Sequence, residues 1–527
     1  MTQIFRVAVV GAWLLSGCGD RDDKWDASPG EARSVGLVGA AAVLDTPLNR
    51  VLVVTSPKRH AVRTHSFDVG KNVAVMATSA DRDTLFVLSK GVQPRRNPDD
   101  ELPSVTVIQA GPSPSLEHRF ELTDPMQALA VDPQEEWLVA FKGDSTVTNP
   151  NEFVLLPLGD PGERQSVTIR SFGGIPEEVV FTDELSVPAG PPRRFLIVRT
   201  DRDIALVDLL ELESEEVTVQ TPSTNQGAKS RPAQVVFDPG SPASDDELGD
   251  PARIGVRLEG EPDVMLLELG EPADGSARDF KINFNIVNVG GVPSAIEFVH
   301  TDFGLRLAAL VPAQSGAKLI DPATTALEAV DFPKPYSKLT RVEADGGAGE
   351  LALLYSPDVP GIAFWALGRA SGALSKSVEQ NEIDLSVAAV RDVPGELRHL
   401  KILEGNQASR FFVLDLEQRQ TFPMLTETQG FTVNVAPDGR RAWAFHHART
   451  EFASVDLSDL HPTSLSVRMP VSAVHDIERE DGSRAALVLH GTDGALSQGT
   501  LGLTLFDAKA PDSADTRFFG GLLLEGL

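Results

Sequence analysis

From Val35 onward the chain alternates short apolar runs with polar turns, and long helical periodicity is scarce. A run of four to seven residues meets a turn, a second run returns, and a third run often ends in an acidic residue. Over 431–445 the run FTVNVA reaches Pro437-Asp438-Gly439 and RRAWAF returns, followed by FASVDL at 452–457. Proline presets such a turn and glycine supplies the positive φ that closes it. Similar triplets of runs lie at 128–133, 137–141 and 153–156, at 179–181, 195–198 and 205–209, and at 235–240, 254–256 and 264–267. Further copies begin near Ala42, Val73, Ala295, Leu339, Leu397 and Ala473, which makes ten candidate starts.

Short strands at this density predict an all-β fold. Recurrence near 40 to 55 residues is the period of β-propeller blades, each a small twisted sheet that buries its faces only against its neighbours. The expectation is one ring over 35–527 of about seven to eight four-stranded blades, some of the ten starts being miscounted. Tandem β-sandwiches are the alternative. The apolar stretch 517–527 (RFFGGLLLEGL) is expected to act as a closing strand for the blade begun near Val35. Polar, Pro-rich insertions at 92–103, 189–194 and 238–251 are expected to gather on one face or to be mere decoration. The strand–Pro-Asp-Gly–strand–strand–Asp-Leu unit resembles the YVTN and WD40-like propeller repeats of bacterial secreted proteins, although no unit carries a literal Tyr-Val-Thr-Asn.

The N-terminus is of another kind. A single basic residue, Arg6, precedes nine apolar or small residues, 7–15, too few to span a bilayer but suited to a secretion signal. Leu15-Ser16-Gly17-Cys18 then resembles the lipobox of bacterial lipoproteins. The resemblance implies a signal peptide over 1–17, cleavage before Cys18 and acyl chains on Cys18, whose thiol is the only one in the chain. Two or more acyl chains anchor stably. Residues 18–34 then comprise the lipidated Cys18 and a polar tether broken by Pro29 and Gly30. Gly19 rather than an aspartate follows Cys18, so the expected location is the outer membrane of the cell envelope, facing the periplasm or the surface.

Charge narrows the partners. Lys plus Arg number 47 against 76 Asp plus Glu, a formal charge of -29 over 527 residues. So acidic a surface repels phosphate backbones, which argues against nucleic acid. One Cys permits neither an internal disulfide nor a Cys-based zinc site.

Catalytic motifs are absent from the sequence: no HExxH, no Walker loop, no GxSxG elbow. Asp302-Phe303-Gly304 is read as a turn and Gly346-Gly347-Ala348-Gly349 as a hairpin connection. His446 and His447 follow a return strand, where neighbours point to opposite faces and do not chelate together. His60 and His65 are treated in the same way. Asp81-Arg82-Asp83 and Asp201-Arg202-Asp203 place two carboxylates in a turn, able to share Ca²⁺ but more simply explained by turn chemistry. Asp245-Asp246-Glu247 with Asp250 forms an acidic loop. No catalytic residue, metal site or cofactor is assigned. The sequence is read as a membrane-anchored binding or scaffold module for a protein or glycan partner. The alternative is an exported propeller-type hydrolase or lactonase with a channel site, with or without dependence on a divalent metal.

Overall fold

The computed structural model describes residues 33–520, apart from 60, 143–151, 160–164, 169–173, 189, 213–216, 224–228, 242–248, 273–278, 302–303, 344–349, 367–377, 406–409, 426–430, 448, 491–501 and 508–516. The lipobox residues Leu15, Ser16, Gly17 and Cys18 therefore lie outside the described residues, as do His60, Asp302, Phe303, the 346–349 glycine run and Asp245, Asp246 and Glu247. Within the described residues there are two 3-10 turns, no α-helix and no helix long and apolar enough to cross a membrane.

Forty strands form ten antiparallel sheets of four, each built from four consecutive strands. The innermost strands begin at Ser34, Val73, Ala128, Pro176, Pro232, Ala295, Lys338, Val387, Thr432 and Val471. Burial changes with distance from the axis. The inner strands Val73–Thr78 and Ala128–Val131 are half-buried throughout, as expected along a central channel. Second and third strands are mostly buried, Ala40–Asp45 and Arg50–Thr55 from end to end. Being covered on both faces, they read as continuous apolar runs rather than alternating ones. Fourth strands, such as Arg63–Asp68, face outward.

Every hydrophobic cluster lies between two neighbouring blades. The second strand of blade 10, Arg484–His490, shows how: Val488 and Ala486 pack on blade 9, whereas Ala485, Leu487 and Leu489 pack on Ala41, Val43, Leu52 and Val54 of blade 1. Ten such interfaces close one ring. The expectation of seven to eight blades is thus corrected to ten, and the sandwich alternative falls with it. Each of the ten candidate starts belongs to its own blade, eight on the inner strand, with Ala42 on a second strand and Leu397 just before one.

Ring closure also differs from expectation. Arg517–Phe519 pairs with Gly502–Asp507 as the outer strand of blade 10 and does not join blade 1. The ring is closed by side-chain packing, with a few polar contacts: His475 Nε2 to Ser34 Oγ at 3.0 Å, Arg479 to Ser56 at 3.4 Å and Arg59 to Asp507 at 3.6 Å.

Because successive strands are antiparallel, first–second and third–fourth turns lie on one face, here the upper, and second–third turns and blade crossings on the lower. The insertions do not gather on one face. Those at 189–194 and 238–251 are first–second turns on the upper face, and 92–103 is a second–third turn on the lower. Upper-face turns touch around the rim: Val38 N donates to Arg82 O at 3.0 Å, and Ser186 N to Pro239 O at 2.9 Å. The Pro437-Asp438-Gly439 turn is similarly wedged against its neighbour. Gly439 has φ +70°, and a Cβ there would overlap the Pro394 carbonyl oxygen of blade 8. Gly439→Ala is accordingly expected to destabilise the fold by about 2 kcal/mol or more, from the φ and the clash together. Thermal unfolding checks this; an unchanged melting temperature would show that the turn does not touch blade 8.

Candidate functional site

On the upper face, the inner-strand ends of blades 8, 9, 10, 1 and 2 wall a cavity of about 530 Å³. Arg391, Asn434, Trp443, His475, Ser34 and Arg82 contribute to it, one or two from each blade. A second cavity of about 530 Å³ lies over blades 8 to 10, among Glu396, Asp438, Arg440, Arg441, Asp456 and Arg484. Asp476 lines both and joins them. The walls carry both signs of charge, much of it in ion pairs. Arg484 reaches Asp438 at 3.3 Å and also pairs with Asp476, Arg440 reaches Glu396 at 3.1 Å, and Arg391 reaches Glu404 at 2.6 Å. Arg441 stands 5.7 Å over the Trp443 ring, whose buried Nε1 finds no acceptor.

His475 and Asp476 are neighbours on the inner strand Val471–Glu478, so they project to opposite faces. Burial, and then the Arg82 guanidinium, lowers the His475 pKa to about 4. Burial pushes the Asp476 carboxyl up to about 6, outweighing the pull of Arg484. The contact of His475 with Ser34 has the form of a base beside a nucleophile. Its chemistry is poor for that task, because a general base works best with a pKa near the operating pH and His475 lies far below it. Nor does Asp476, on the other face, orient the ring. The pair is a contact between the first and last blades.

A second cluster gathers Asp81, Asp83 and Glu135, with carboxylate oxygens within 4.8 Å of one another. Asp81 accepts from Ser79 Oγ at 2.7 Å and Asp83 N at 3.1 Å, which lowers its pKa, while burial and then Asp81 raise that of Glu135. These are oxygen donors of the type a hard divalent cation takes. The hydrogen bonds of Asp81, however, are those of a turn, and beyond the three carboxylates nothing among the described residues points to an ion.

The other sequence candidates are scattered. Asp201 accepts from Ile175 N and pairs with Arg202, and Asp203 is buried against Thr200, so the two carboxylates have separate tasks. His446 and His447 lie beyond their strand, in a lower-face turn, with His447 exposed and edge-on to Phe445. His65 sits in the outer strand of blade 1, its pKa lowered by burial and then by Arg63. Asp250 closes the 238–251 turn through a bond to Ser241. Sequence reading missed His475, Asp476, Arg484, Arg391 and Glu135 as site residues. Arg391 and Asp476 lie toward the ends of inner strands and Glu135 in the turn after one, but His475 lies mid-strand and Arg484 opens a second strand, so no single positional signal marks them.

No protein-family model matches the chain, and neither does any curated protein sequence. Solved structures match at the level of the fold. The dihydro-heme d1 dehydrogenase NirN in complex with DHE aligns at TM-score 0.42 and 13% identity over 74% of this chain and 75% of that one. Apo AztD from Citrobacter koseri aligns at 0.36 and 12%, over 73% and 95%. The WD40 domain of SCAP from fission yeast aligns at 0.37 and 11%, over 80% and 90%. The chain is a β-propeller with WD40-like neighbours, and at such identities the likeness extends to the fold alone.

Proposed function

We propose that this chain is a lipid-anchored binding protein of the cell envelope, held at the outer membrane through Cys18 and presenting its upper face to a protein or glycan partner. The observation that carries the reading is the pair of adjoining cavities, walled by five blades and lined with charges of both signs. Rigid, mixed-charge concavities suit the recognition of a polar surface, since complementary charges set register and exclude wrong partners. The chemistry of the walls favours binding over turnover, for the His475–Ser34 contact is too weakly basic to serve. The Leu15-Ser16-Gly17-Cys18 segment supports the anchor.

The test is recovery of a partner from membranes with the lipidated chain, by pull-down and mass spectrometry, with metal analysis of the washed sample. Wild type is expected to retain a stoichiometric partner. Arg82→Glu combined with Arg391→Glu should lower recovery by about tenfold or more, because both change the sign of the cavity wall. Cys18→Ala should leave the membrane fraction or remain uncleaved. Unchanged recovery by the double variant would remove the cavity from the reading. A stoichiometric divalent metal with no partner would replace the reading with the hydrolase alternative, and normal acylation of Cys18→Ala would remove the anchor.

A further inference from the structure

Among the described residues, ten outer strands each leave one edge without a strand partner. An open edge invites pairing with another chain, and natural sheets blunt it with short strands, charges or proline. Nine blades do so. Arg63–Asp68, Ser115–Glu121 and Leu327–Asp331 carry charged residues. Gln420–Leu425 and His461–Ser466 contain proline. Gln165–Thr168, Val217–Gln220, Val378–Asn381 and Arg517–Phe519 run for only three or four described residues. Blade 5 is the exception. Its outer strand, Lys281–Asn288, has eight residues, all paired to Asp263–Gly270, and after Lys281 it has neither charge nor proline.

That strand also exposes apolar side chains. Ile282, Phe284 and Ile286 alternate along the face toward blade 4, with Phe284 55% and Ile286 46% exposed. Ile282 packs on the core shared with blade 4. The outer strand of blade 4 has only four described residues, Val217–Gln220.

We infer that this edge pairs with the same edge of a second copy of the chain. The strand is complementary to itself. In an antiparallel pair about a two-fold axis at Phe284, Phe284 faces Phe284 and Ile282 faces Ile286 on one side. Asn283 faces Asn285 on the other. Over 282–286 every apolar side chain meets an apolar one and every amide an amide, while at the margin Lys281 faces Val287. Such an interface is isologous and closes at two copies. Two chains of formal charge -29 repel each other. Because the stretch 282–288 is uncharged, that repulsion acts at long range and is screened by salt.

Sedimentation equilibrium of the full chain, produced without lipid as Cys18→Ser, tests the inference. A reversible monomer–dimer equilibrium is expected, tightening as salt rises. Phe284→Lys or Ile286→Lys should weaken it by about tenfold or more. Both side chains are about half exposed, so the melting temperature should move far less than the association constant. In the same background Phe284→Cys should give a disulfide-linked dimer under mild oxidation. Leu327→Cys, comparably exposed on the outer strand of blade 6, should not. A chain that stays monomeric at about 100 µM, well above the affinity of a specific interface, would overturn the inference. So would a dimer that survives Phe284→Lys, open-ended aggregation, or equal cross-linking through Leu327→Cys.

Discussion

Leu487→Ala is expected to destabilise the protein by about 2–5 kcal/mol, the range for a fully buried leucine, and by about as much as Leu403→Ala. Both leucines lie in second strands and have no exposed surface. Leu403 packs between blades 7 and 8, an interface that chain connectivity brings together in any case. Leu487 packs between blades 10 and 1, where no strand crosses and the core Ala41, Val43, Leu52, Val54, Leu489 and Leu503 holds the ring closed. The comparison therefore measures closure itself. In repeat architectures each unit is stabilised by its contacts with its neighbours, so an undocked last blade would leave Leu487 with little to lose. Denaturant unfolding of the two variants gives the answer. A loss for Leu487→Ala well below half that for Leu403→Ala would mean that the ring is open at this seam.

The second large effect is one of pH, and it is concealed in the wild type. The His475 pKa is lowered to about 4 from an ordinary 6.5, so its contribution to stability is present above 6.5 and is lost as the pH falls to about 4. The Asp476 pKa is raised to about 6 from 3.8, so its contribution is present below 3.8 and is lost as the pH rises through 6. Each amounts to about 3 kcal/mol, at 1.36 kcal/mol per pKa unit. Between pH 4 and 6 the two run in opposite directions and nearly cancel. Single variants uncover them. Relative to wild type, Asp476→Asn is expected to lose about 3 kcal/mol on going from pH 6.5 to 4, and His475→Gln to gain a similar amount. Unfolding midpoints at several pH values, taken as differences from wild type, remove the titration of all other groups. Two variants that track the wild type in parallel would show that neither residue is held in its buried protonation state.

Much of this architecture was legible in the residues. Runs such as FTVNVA and RRAWAF are too short for anything but strands, and Pro437-Asp438-Gly439 names the turn between them; the structure places strands at Thr432–Val435 and Arg441–Phe445. The candidate site was far less legible. Glu135 joins Asp81 and Asp83 from the next blade, more than fifty positions away in the chain. Ser34 meets His475 from opposite ends of the molecule. Single-chain spacing does not encode such meetings, because they depend on which turns the ring brings to one rim.

The sequence by itself determined an all-β chain with ten candidate repeat starts, read as seven to eight blades, since local alternation, turn residues and run lengths are properties of neighbours along the backbone. The tertiary structure alone decided how many blades the ring holds, how it closes and which charges share a cavity. Blade number is set by the angle at which each pair of facing sheets packs, and that angle follows from side chains that interlock across ten separate interfaces. A stretch of sequence records one half of each interface; the ring closes only when all ten halves have met their partners.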